Sequence, residues 1–233
     1  MLAFKSVLES PNWVANLLWL SLAAMTSAIL VGQIALLGYG SEILERRAGR
    51  PDYPNTDVDS NRLGDYINKG IWPFLVQFVV QLVVSFLMLI PMFLLFVVVA
   101  AAGAVAEEFA AGVLFFVFVP AMIILSIFIN IFTVPFIIRA MVGQDFGQAF
   151  DVGWCLNFTK MMWGEIIISS IIFGLLAFLV SLAGMIACFV GTIPAAGLIW
   201  GAAVHLLGQW YEIYLSRGGP PAPAPDVIDA AAV

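Results

Sequence analysis

Gln77 and Gln81, four residues apart, and Asn130 and Thr133, three apart, are polar side chains set inside otherwise apolar sequence. On a helix each pair shares one face. A carboxamide both donates and accepts, so the chemistry on offer is neutral hydrogen bonding, either joining helices or lining a path for an uncharged solute. A third group is His205 with Gln209 and Glu212 at i+4 and i+7, a polar stripe along one helix. His205 is the only histidine, so neither a three-ligand zinc site nor a bis-histidine haem can be built around it. Structural hydrogen bonding, contact with a partner or substrate, and axial ligation of one pigment remain open for it. No Ser-His-Asp grouping assembles, because the nearest acid shares the histidine's own helix. Cys155 and Cys188 are isolated thiols at no metal spacing and read as packing residues. No catalytic residue, metal or cofactor is assigned, and the chain is not expected to be an enzyme.

The elements that carry these residues follow from where charge is missing. Trp13 to Tyr39, Ile71 to Ala106, Phe109 to Ile138 and Ile166 to Val204 contain no Lys, Arg, Asp or Glu. About 20 apolar residues are needed to cross about 30 Å of hydrocarbon as a helix, and every one of these tracts is longer. With 63% hydrophobic and 10% charged residues in 233, the chain has too little polar surface for a soluble globule. The expected fold is all-α: a polytopic integral membrane bundle of about five crossings, with helices near 13–39, 71–99, 110–138, 164–182 and 186–210. Residues 1 to 12, with Leu2, Phe4, Val7 and Leu8 ahead of Trp13, read as a short interfacial helix. Pro91, Pro120, Pro135 and Pro194 are expected to interrupt four helices, by bending them or by opening sites.

Sidedness follows from the basic residues. Arg46, Arg47, Arg50, Arg62 and Lys69 fall in the loop 40–70, Arg139 and Lys160 after the third helix, and Arg217 after the last. Basic short loops mark the cytoplasmic side, which places 40–70, 139–163 and the C-terminus inside. The turns near 100–109, with Glu107 and Glu108, and 181–187 are then outside. An odd number of crossings leaves the N-terminus outside, where Lys5 disagrees. In the loop, acidic and basic charges nearly cancel, which excludes a nucleic-acid surface. Its Asn and Asp residues also lack calcium-loop spacing. Residues 218–233, beginning Gly-Gly-Pro-Pro-Ala-Pro, read as a flexible or extended tail.

An approximate repeat runs through the helix ends: Gly38 to Arg47 resembles Gly208 to Arg217, with a fainter copy from Phe132 to Arg139. Further short motifs are Ala3-Phe4, Pro11-Asn12-Trp13, Gly38-Tyr39, Gly49 and Pro54, Gly64-Asp65-Tyr66, Lys69-Gly70, and Ala202-x-x-His205-Leu-Leu-Gly208-Gln209-x-Tyr211. Together they resemble the uncharacterised prokaryotic membrane-protein family built on domain of unknown function 4013, over residues 1 to about 217. The resemblance implies an integral membrane protein of bacteria or archaea and no reaction.

Two function classes follow. One is a non-catalytic subunit or scaffold in the cytoplasmic (inner) membrane, packing laterally against other membrane proteins or itself within the lipid bilayer. It is favoured by the absence of a carboxylate at mid-depth and by small-residue helix faces. The alternative is a transporter or channel for a small neutral or lipid-like substrate, favoured by the prolines and the repeat.

Overall fold

The structure is a computed structural model that describes residues 2–49, 57–103, 112, 114–187 and 190–223. Among these the chain is all-α: α1 (Leu2–Leu8), α2 (Trp13–Thr26), α3 (Val31–Gly49), α4 (Leu63–Gly103), α5 (Val119–Gly143), α6 (Phe146–Ala149), α7 (Val152–Ile186) and α8 (Thr192–Ser216). Three stretches, Ser60–Ala101, Phe115–Gly143 and Val152–Ile186, are long and apolar enough to cross a membrane, and at most 6% of their most apolar windows is buried inside the chain. Large apolar side chains such as Phe86, Phe93, Phe116, Ile124, Ile168 and Phe178 stand exposed along them. In water that surface would drive aggregation, whereas in hydrocarbon it is the expected covering. The chain is a multi-pass membrane protein.

The expected helix near 13–39 does not cross as one piece. α2 stops at Thr26, a 3₁₀ turn covers Ser27–Ile29, Leu30 takes a left-handed φ of 67°, and α3 starts at Val31. Hydroxyls loosen this point: Thr26 Oγ1 donates to the Leu22 and Ala23 carbonyls and Ser27 Oγ to Ala23 O, in competition with the helix's own amides. The 14 residues of α2 rise about 21 Å, short of the hydrocarbon thickness. The tract therefore doubles back as a hairpin, with Gly32 so close to α2 that a Cβ would lie 1.9 Å from Ala23 O. About five crossings thus gives way to three long apolar helices, a doubled-back hairpin and α8, which is 25 residues long but carries the polar stripe.

Glycines set where the helices meet. A Cβ on Gly38 would lie 1.7 Å from Tyr66 O, and one on Gly70 would lie 1.8 Å from Ile34 O, so α3 and α4 touch backbone to backbone. Gly197 packs in the same way on Ser21 of α2, and Gly201 meets Leu20 and Val7. Between lipid-soluble helices there is no water to expel, and close approach of this kind supplies the van der Waals contact that holds them. Ion pairs extend the α3–α4 contact beyond the apolar part: Lys69 Nζ to Glu45 at 2.5 Å and Arg62 to the buried Glu42 at 2.6 Å, with Arg46 on the same Glu42 oxygen.

α1 packs on the bundle. Ala3 and Val7 are buried against the bundle, Phe4 stacks on Phe173 at 5.4 Å, and Lys5 and Glu9 pair at 3.2 Å on the exposed side. Not all four prolines interrupt helices. α4 runs unbroken through Pro73 and Pro91 and α5 through Pro135, and Pro194 occupies a first turn; Pro120 sits where a π-helical turn, Leu114–Phe118, gives way to α5, so there the α-helical ladder does change. The turn carrying Glu107 and Glu108, residues 50–56 and Cys188 lie outside the described residues. The three segments of the sequence repeat end α3, α5 and α8.

Gly70→Ala is expected to lower stability in detergent by about 3 kcal/mol, because backbone and not a movable side chain must yield. Gly174→Ala, with nothing within 4 Å of the added carbon, should change it by no more than about 0.5 kcal/mol. Equal melting temperatures for the two variants would contradict the α3–α4 contact.

Candidate functional site

The four amide and hydroxyl residues singled out on α4 and α5 line one groove. Gln77, Gln81, Asn130 and Thr133 surround a cavity of about 340 Å³ together with Ser126, and with Met88 and Met122 at its far end. The i, i+4 spacing of the glutamines and the i, i+3 spacing of Asn130 and Thr133 present both pairs to the same gap. Gln77 is half-buried and accepts a 3.4 Å hydrogen bond from Gln33 Nε2 on α3. Gln81 and Asn130 are exposed, with Asn130 Nδ2 donating to Ser126 O at 2.9 Å. The Ser126 hydroxyl donates to Ile123 O at 2.7 Å, and the opening has no ionisable group among its described lining residues. Such a groove can hydrogen-bond an uncharged polar group; it cannot neutralise a charged one. Gln33 was legible only as a single amide in the first apolar tract, with no partner at helical spacing to mark it.

The polar stripe of α8 is divided among three environments. His205 is 4% exposed and closes a cavity of about 10 Å³, room for roughly one water, lined also by Ser6, Ser10, Asn16 and Tyr39. Gln209 borders a separate cavity of about 90 Å³ beneath α1, beside Phe4, Ser169 and Phe173. Glu212 is exposed. Arg46 pairs with Glu42, and the side chains of Arg47 and Arg50 lie outside the described residues.

Next to His205 is a clasp that the sequence did not announce. Asp57 accepts from Ser10 Oγ, from Asn16 Nδ2 at 2.9 Å and from Asn12 Nδ2 at 2.7 Å, and Asn16 Oδ1 takes the Val58 amide at 3.0 Å. These donors, Ser10 foremost and then Asn16 and Asn12, hold the Asp57 carboxyl below the usual carboxylate range despite the opposing effect of burial. The clasp ties the start of α2 to the loop before α4. The N-terminal residues are therefore held beside that loop.

Among the described residues no cluster of three or more His, Cys, Asp or Glu could hold a metal ion. Compared with known proteins, residues 21–189 match a family described as protein of unknown function (DUF4013). The match omits α1 and α8, which the resemblance over residues 1 to 217 had included. No curated protein matches, and no solved structure does.

The depressed Asp57 value fixes a sign. Its contribution is complete above the ordinary carboxylate value of 3.8 and is lost as pH falls through the lower folded value. Asp57→Asn should lower the melting free energy by on the order of 1 kcal/mol at neutral pH. The gap to wild type should stay constant from about pH 8 to 5 and close only below about pH 4. Thermal unfolding across pH checks this; a gap that closes between pH 7 and 5 would assign the effect to another group.

Proposed function

We propose that this chain, which belongs to the DUF4013 family of proteins of unknown function, is a non-catalytic membrane subunit or scaffold whose α4–α5 face receives a polar group from a helix of a neighbouring membrane protein. One observation carries the reading: Gln81 and Asn130 stand exposed at the groove between two helices that are otherwise covered with apolar side chains. Hydrocarbon offers a carboxamide no partner, so amides on such a surface are met by polar groups of another helix. The Gln33–Gln77 bond inside the chain is the same interaction already satisfied. In this reading α4, α5 and α7 supply the lipid-facing platform and the chain performs no reaction. The segments 40–70, with its Arg and Lys residues, and 139–163, with Arg139 and Lys160, and the C-terminus, after Arg217, are read as facing the cytoplasm of a prokaryotic cell.

A second reading has its own support. The groove is about 340 Å³, within the range of small-ligand sites, and its neutral polar lining suits an uncharged or lipid-like substrate moving laterally.

Gentle-detergent purification separates the two. Replacing Gln81 and Asn130 together by Leu should release a co-purifying membrane subunit, or dissolve a homo-oligomer, while the melting temperature stays within a few degrees of wild type. Such interhelical bonds average about 0.6 kcal/mol each, enough to shift a weak assembly but not to unfold the chain. A wild-type protein that is monomeric at all concentrations and carries bound lipid in the groove would support the second reading.

A further inference from the structure

The tail after α8 reads as a flexible linker, yet Gly218 to Pro223 are seated on the protein. We propose that the cleft where the ends of α5 and α8 meet the start of α7 is a binding site for an extended, proline-rich segment, filled in cis by this chain's own residues 218–223. The sequence accounts for the path. Gly218 takes a left-handed φ of 82°; its amide donates to Leu215 O at 2.9 Å and that of Gly219 to Tyr214 O at 3.0 Å, the paired bonds that close a helix on glycine. This turn directs the chain back toward α7. A Cβ on Gly219 would lie 2.4 Å from the Tyr214 ring, so the second glycine is required by contact, as the first is by conformation.

Past the turn, aromatic side chains hold the backbone. Trp154 Nε1 donates to Pro220 O at 2.9 Å, and the Ala222 amide donates to the Tyr211 hydroxyl at 3.0 Å. Ala222 is 5% exposed, while Pro220, Pro221 and Pro223 are exposed. The wall is rigid: the Trp154 and Phe158 rings lie 5.3 Å apart, Phe158 and Tyr214 4.7 Å apart, and the Arg139 guanidinium sits 5.2 Å from the Trp154 ring. Asp151, which accepts from Arg139 at 2.9 Å, also caps the first turn of α7 through the Trp154 amide.

These are the requirements of proline-rich recognition. Proline has no amide to offer and fixes its own φ, so what the segment presents is a row of carbonyls on a chain already low in conformational entropy. The indole of Trp154 takes one carbonyl of that row, Pro220 O, as aromatic grooves do for proline-rich segments, and leaves the proline rings exposed. Here the cleft selects glycine at 219, a carbonyl at 220 and a small residue at 222. Tethering keeps the tail at an effective concentration of about millimolar. A free segment of the same chemistry therefore displaces it only at comparable or higher concentration.

Hydrogen exchange at the Ala222 amide, in the full chain in detergent or nanodiscs, tests this. In wild type the amide is expected to be protected, and Trp154→Phe should speed its exchange by about tenfold or more while amides in the middle of α7 keep their wild-type rates. Should Trp154→Phe also lose α7 protection, Tyr211→Phe, which removes only the hydroxyl, is expected to give the same acceleration. Adding the synthetic peptide Gly-Gly-Pro-Pro-Ala-Pro-Ala-Pro at about ten times the effective concentration should release the amide, and the same peptide with Ala for each Pro should not. An unprotected Ala222 amide in wild type, or equal release by both peptides, would overturn the proposal.

Discussion

The contact between the backbones of α3 and α4 at Gly38 and Gly70 is what the remainder of the fold depends on. A helix in hydrocarbon gains nothing by hiding apolar surface from lipid, since lipid is as apolar as its own leucines. What distinguishes a bound pair of helices is close approach, and here a single methyl on either glycine would overlap a carbonyl oxygen. With α3 fixed on α4, Gln33 reaches Gln77 and Glu42 and Glu45 reach Arg62 and Lys69. The same logic recurs where Gly197 and Gly201 admit α2 and α1. The N-terminal hairpin and α8 are thus packed by small residues around a core that ends in Tyr211 and Tyr214, while α4, α5 and α7 leave most of their length to lipid.

Polar groups then sort by whether the chain itself satisfies them. Asp57, Asn16, Ser10 and Glu42 are held in bonds that pin loop to helix, and Arg139 and Asp151 do the same for the turn between α5 and α7. Glu42 keeps one buried oxygen without a hydrogen-bond partner, a cost that the two arginines on its other oxygen offset. Gln81 and Asn130 are different, because they stand on the outer surface of the apolar helices, where Asn130 reaches, among the described residues, only the Ser126 carbonyl of its own helix. That contrast, more than the absence of catalytic groupings, is what supports a role in lateral association.

Much of this was legible in the residues. Charge-free length identified α4, α5 and α7, and helical spacing placed Gln77 with Gln81 and Asn130 with Thr133 on faces that proved to share one groove. The first tract misled because length alone cannot distinguish one long helix from two short ones, and the cue lay in hydroxyls: Thr26 and Ser27 bond backward to carbonyls just where Leu30 turns left-handed. The stripe of His205, Gln209 and Glu212 was correct as helix geometry and incomplete as environment, since three neighbouring elements divide it. The Asp57 clasp joins residues more than forty positions apart with no spacing rule to reveal it. The proline-rich tail was read from composition, which reports a stiff segment but not the aromatic wall it lies on.

Because the first apolar tract doubles back, both ends of the α2–α3 hairpin should lie on one side of the membrane. In vesicles of known orientation, with Cys155 and Cys188 replaced by alanine, a membrane-impermeant maleimide applied to Lys5→Cys and separately to Asn61→Cys tests it directly. Both sites should react from the same face and be silent from the other. Reaction of the two from opposite faces would show that residues 13–39 cross as a single helix and not as a hairpin.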